Sequence, residues 1–197
     1  MKVEVAGRLS LADRQSLLAH ARQTVRRTVA CGDGDAALAT GTAIDEAVSP
    51  TLTAPGAAFV TLHVDGRLRG CIGTVERRRP LWQVVADMAA AAATRDPRFA
   101  PIRAADLGAL SVEISVLTPD VVIAGPEDID IGRHGLDVRR DGVRGLLLPQ
   151  VAIEHRLNGE RFLAETCRKA GLPGDAWRDA GTEIRAFEAD VFGDADA

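Results

Sequence analysis

The chain has no tyrosine, and its aromatic residues make up only 4% of 197 positions. Its core must therefore be built from Ala, Val, Leu and Ile. Lysine is nearly absent: 22 of the 24 basic residues are arginine, the exceptions being Lys2 and Lys169. The formal net charge is −4, without the basic excess of a general nucleic-acid binder. The three cysteines, Cys31, Cys71 and Cys167, are far apart and form no CxxC pair, which excludes zinc-knuckle and thioredoxin-type motifs. Their odd number, together with the missing signal peptide, leads to the expectation of a reducing cytoplasm. The longest apolar run, Met88 to Ala93, is too short to cross a bilayer. GxGxxG, P-loop, GxSxG and HExxH patterns are all missing, which removes the common nucleotide, serine-hydrolase and zinc-protease chemistries.

What is present is a sequence that is 46% hydrophobic and 26% charged, ordinary for one globular domain. Ser10, with Asp13 three residues on, reads as the N-terminus of a helix reaching about Ala30. Leu17, Leu18, Ala21, Val25 and Val29 form its apolar side, and Arg14, Arg22 and Arg26 its solvated side. Cys31 to Gly56 reads as loop, punctuated by glycine and proline. Its GDGD run at Gly32–Asp35 lacks the rest of a calcium loop and is read as a turn. Pro80 opens a second helix that Asp96-Pro97 ends. Ser111 to Leu117 alternates as a strand, Pro119 to Ile131 is irregular, and Leu136 to Leu148 is a hairpin turning at Asp141-Gly142. Asn158 caps a third helix that Gly171 and Pro173 stop, and Glu183 to Phe192 reads as a last strand. Antiparallel hairpins among helices predict an α+β fold: an antiparallel sheet flanked by helices, with a smaller second subdomain.

The most informative stretch is Ala58 to Thr74, AFVTLHVDGRLRGCIGT. Asp65-Gly66 favours a two-residue type I′ turn. An unbroken ladder pairs Val60 with Cys71 and puts Val60, Leu62, Arg69 and Cys71 on one face. A bulge would reverse that assignment.

FVTLHVDGRLRGCIGT resembles the hallmark of the AMMECR domain family. DPRFAPI at Asp96–Ile102, LSVEISVLTP at Leu110–Pro119, HGL at His134–Leu136, GLLLPQVAIE at Gly145–Glu154 and CRKAGLP at Cys167–Pro173 continue the likeness in order. It covers about residues 10–193, so the 1–197 chain is read as a single domain of this type. The pattern departs after Glu154, where many members carry a Gly-Trp-Asp type segment and this chain has His155-Arg156-Leu157-Asn158-Gly159. The resemblance implies a compact α+β fold with a smaller subdomain. It also implies company with a Memo-like protein and a radical S-adenosylmethionine enzyme in a modification system. It names no cofactor.

Cys71 is the leading candidate for chemistry. Gly70 and Gly73 would let a ligand come close, Arg69 would favour the nucleophilic thiolate, and Arg67 would add to a site for an anion. His134 is the base the sequence offers, and Glu113 would orient it or act as acid/base itself. No metal is expected; Cys71, His134 and Glu113 are the residues that would have to converge on one. The first reading is a cysteine-dependent transferase or hydrolase. Its rivals are a non-catalytic adaptor whose hairpin groove receives a partner, and nucleic-acid binding through the arginines, including Arg77-Arg78-Arg79. The acidic balance weighs against the last. His63 reads as an ordinary strand residue, His20 and His155 as surface residues, Cys167 as core, and Asp96 and Arg98 as loop supports.

Overall fold

A computed structural model describes residues 9–31 and 49–194. They run α1 (Leu11–Cys31), α2 (Pro50–Thr53), β1 (Ala58–Val64), β2 (Arg67–Thr74), α3 (Leu81–Thr94), β3 (Leu110–Leu117), β4 (Val121–Val122), β5 (His134–Arg140), β6 (Val143–Leu147), α4 (Pro149–Glu154), α5 (Gly159–Lys169) and β7 (Glu183–Gly193), with short 3₁₀ turns between. The fold is mixed α+β with antiparallel strand pairing, as expected. It forms two compact units: residues 9–117 with 190–194, and the smaller Thr118–Ala189.

In the larger unit β1 lies between β2 and β3, and the end of β7 follows β3. Ser10 caps α1 reciprocally: Asp13 N–H donates to Ser10 Oγ at 3.1 Å and Ser10 N–H to Asp13 Oδ2 at 3.3 Å. Leu17, Leu18, Ala21 and Val25 of α1 meet Leu81, Val84, Val85 and Ala89 of α3 in a core closed by Val60, Leu62, Val112 and Ile114 of the sheet. Each fully buried Leu here contributes about 2 kcal/mol of transfer free energy. Two of the arginines read as a solvated face are ion-paired instead, Arg14 with Asp190 and Arg22 with Asp194. Both partners lie far away in sequence, where helical periodicity carries no trace of them. Part of the stretch read as loop is helical, since Pro50 starts the single turn of α2 and Leu52 anchors it in the core. The Gly32–Asp35 turn lies outside the described residues.

In the smaller unit the order is β6-β5-β7-β4. The Asp141-Gly142 turn has positive φ at both residues, 48° and 81°, as type I′ requires. Leu136, Val138, Ile184 and Ala186 form the inner sheet face, on which Phe162, Leu163 and Cys167 of α5 pack. Cys167 is core, as read. Asn158 accepts from Arg161 N–H at 3.0 Å to cap α5. Gly171 N–H to Arg168 O and Leu172 N–H to Cys167 O, both 2.9 Å, end it in a Schellman motif. The segment read as irregular contains β4, too short at two residues to show alternation. On the other sheet face Asp137, fully buried, accepts from Arg144 at 2.7 Å and from Arg139 at 2.5 Å.

Candidate functional site

The β1–β2 turn is type I′, with φ of 50° at Asp65 and 71° at Gly66. The ladder beyond it is not continuous. Val64 pairs with Arg67 and His63 with Leu68, but Leu62 pairs with Gly70, leaving Arg69 as the extra residue of a bulge. Cys71 therefore faces Thr61, not Val60, and the expected face assignment is reversed. The cause is packing. Gly70 faces α3, where a Cβ would sit 2.1 Å from Ala92 O, so no other residue of LRGC fits beneath that helix. The alanine run permits this approach, and the register follows from it.

Cys71 is thereby turned to the open side of the sheet, half-buried. Thr61 donates its hydroxyl to Cys71 Sγ at 3.4 Å. Thr61 pairs in turn with Glu113 of β3, so Cys71, Thr61 and Glu113 form one row across three strands. Strand spacing puts the Cα atoms of Cys71 and Glu113 about 10 Å apart. Glu113 is half-buried, and its carboxylate has no hydrogen-bond or ion-pair partner among the described residues.

The backbone of Cys71 is held from its free edge. Asp96, buried just after α3, accepts the Cys71 N–H at 2.9 Å, while Arg98 donates to Cys71 O at 3.2 Å. Arg98 also grips Asp96, with Nε–Oδ1 at 2.9 Å and Nη2–Oδ2 at 2.7 Å. Asp96 and Arg98 thus offer β2 an acceptor and a donor where a neighbouring strand would. The Arg98 guanidinium, helped by the Cys71 N–H, holds the Asp96 carboxyl well below the usual carboxylate range. Sequence reasoning gave these two residues only a loop. The signal was there in Asp96-Pro97-Arg98, but its target lies 25 residues back.

The other candidates divide. Arg69, in the bulge, reaches Ala100 O at 3.4 Å, and Arg67 is exposed beside the turn. The cation bonded to Cys71 is Arg98, which the sequence reading did not place there. Gly73 has a packing role: a Cβ would lie 2.2 Å from the Phe59 ring that covers it. Arg77 donates to Leu117 O at 2.8 Å, Arg78 pairs with Glu76, and Arg79 pairs with Asp87. Each of these arginines thus has a partner within the fold, Arg78 and Arg79 from exposed positions. His134 belongs to the smaller unit and is 3% exposed. Its Nδ1 accepts from Asp130 N–H at 3.1 Å, which assigns the imidazole proton to Nε2, so in this form His134 offers no free lone pair. His20 is buried edge-on against Trp82 at 5.6 Å, not on the surface as read. Among the described residues no cluster of three or more His, Cys, Asp or Glu is arranged to hold a metal, and no helix is long and apolar enough to cross a membrane.

The fold that carries this bulged hairpin and its DPR segment is of the α+β class, with antiparallel strands and flanking helices. The sequence profile of the AMMECR1 family matches residues 18–192, and the chain belongs to that family. A protein of Methanothermobacter thermautotrophicus is 46% identical over 140 residues, covering 68% of this chain and 73% of its own. A Sulfolobus acidocaldarius protein is 42% identical over 162 residues, covering 76% and 70%. The crystal structure of an uncharacterized protein from Pyrococcus horikoshii superposes with a TM-score of 0.74 at 36% identity, covering 94% of this chain and 93% of that one.

Proposed function

We propose that this chain is a cysteine-dependent enzyme, a transferase or hydrolase, with Cys71 as nucleophile and Glu113 as acid/base. The observation that carries this reading is the row Cys71–Thr61–Glu113: a presented thiol, a hydroxyl bonded to its sulfur, and an unpaired carboxylate one strand beyond. In the acyl-transfer form, Sγ bonds to a substrate carbonyl carbon and the thiol proton passes to Glu113. Glu113 returns it to the departing amine or alcohol, leaving a thioester. Water or an acceptor amine then resolves the thioester and restores the thiol. The Asp96–Arg98 clamp fixes the peptide that carries Sγ, as near-attack geometry demands. The partners are those the family resemblance implies, a Memo-like protein and a radical S-adenosylmethionine enzyme in a shared modification system.

Alkylation with iodoacetamide near neutral pH tests the nucleophile. Cys71 is expected to react faster than the exposed Cys31 in the same chain, with Cys167 protected by its burial, which also pushes its thiol upward. Glu113→Gln is expected to lower any thioester-forming activity about 100-fold, the usual weight of a general acid/base. If Cys71 is labelled no faster than Cys31, the enzyme reading fails.

The adaptor reading keeps one observation in its favour. Thr61 and Ser111 are half-buried short side chains on the face that carries Cys71 and Glu113, and a partner segment can lie beside them. Capture of a Memo-like protein undiminished by Cys71→Ser would support it over catalysis.

A further inference from the structure

In the smaller unit, α4, the segment after it and the last turns of α5 bound a cleft of about 490 Å³ against β6. Three aliphatic side chains, Leu147, Val151 and Leu157, form its floor. Glu165, Arg168 and Lys169 of α5 stand on the rim, with His155 from the end of α4. Glu165 and Arg168 pair with each other, one turn apart on the helix. Lys169 has no ion-pair partner among the described residues, nor does the His155 side chain. The cleft therefore joins an apolar floor to one unmatched positive charge, and its volume is in the range that holds small organic ligands.

We propose that this cleft binds a small aliphatic monocarboxylate, its hydrocarbon part on Leu147, Val151 and Leu157 and its carboxylate at Lys169. The charge pattern selects this class. A cation would meet Lys169 and Arg168. A dianion such as phosphate would face Glu165 with only one free partner and leave the floor unmatched. A neutral hydrocarbon would leave Lys169 without a counter-charge. The site is separate from the thiol chemistry, and its occupancy does not require Cys71.

The test is a titration of the full chain, labelled with nitrogen-15, followed by amide chemical shifts. Hexanoate is the probe, with hexylamine and acetate as arms that keep the tail or the carboxylate alone. Saturable hexanoate shifts at the cleft amides, much weaker responses to both other compounds, at least about tenfold weaker binding in Lys169→Glu, and near-normal binding in Lys169→Arg are expected. No saturation up to the solubility of hexanoate, an equal response to hexylamine, shifts centred elsewhere, or a Lys169→Glu variant that binds normally would each overturn the proposal. Lys169 is exposed, so neither variant should disturb folding.

Discussion

Arg156 adopts a left-handed conformation, with φ of 50°, at the end of α4. Its N–H bonds to Ile153 O at 3.1 Å and the Leu157 N–H to Ala152 O at 2.8 Å, the same motif that Gly171 serves at the end of α5. Arginine has a Cβ that this conformation crowds, so Arg156→Gly is expected to stabilise the smaller unit by about 1 kcal/mol, measured by urea unfolding. Two titratable residues each tie stability to acid. Burial, aided by Arg27, holds His20 below its ordinary value of 6.5, so the unfolded chain takes up a proton that the folded chain refuses. Stability should fall as pH drops through 6.5, and His20→Gln should flatten that slope in thermal melts between pH 6.5 and about pH 5. Asp96 acts lower. Its contribution is complete above the unfolded value of 3.8 and is lost as pH falls from there through the depressed folded value. Asp96→Asn removes that dependence. It should also speed hydrogen exchange at the Cys71 amide, because a neutral amide oxygen holds that N–H less firmly.

At the scale of elements, the contact between α3 and β2 decides the site. Gly70→Ala would drive a Cβ into the Ala92 carbonyl and is expected to cost about 3 kcal/mol or more. The loss should appear as a lowered urea midpoint and as altered labelling of Cys71, whose outward orientation depends on the same bulge. Most elements were legible in the sequence because their signals are local. Ser10 and Asn158 mark helix starts, Gly171 a stop, Asp65-Gly66 and Asp141-Gly142 the turns, and the alternation of SVEISVL a strand. The register of β2 was not, because the bulge answers to a carbonyl on α3 and not to the turn that starts the hairpin. Glu113 was named only as a candidate acid/base or partner of His134, and its place in the Cys71 row, one strand beyond Thr61, follows from a strand order that no local signal carries. Thr61, the residue bonded to Cys71 Sγ, was overlooked as one more strand threonine. Asp137 was missed altogether: a fully buried carboxylate needs Arg139 and Arg144 around it, and only Arg139 is near enough in sequence to suggest a pair.

The whole molecule depends on its last strand. Residues 183–189 of β7 lie between β4 and β5 in the smaller unit, while 190–193 follow β3 in the larger one. Asp190 and Asp194 there take Arg14 and Arg22 of α1. A chain cut after Thr182 should therefore lose order in both units together, measured by circular dichroism and limited proteolysis; survival of a native larger unit would contradict this account. Asp137→Ala differs, leaving two guanidinium groups without their shared carboxylate. It should cost about 3 kcal/mol, with proteolytic cleavage appearing first within 118–189. That β7 contributes residues to both units also has a consequence for association between chains. Without it, β3 and β5 would each keep an open edge. Such edges are where strand pairing between neighbouring chains begins, so the eleven residues of β7 guard both units against association.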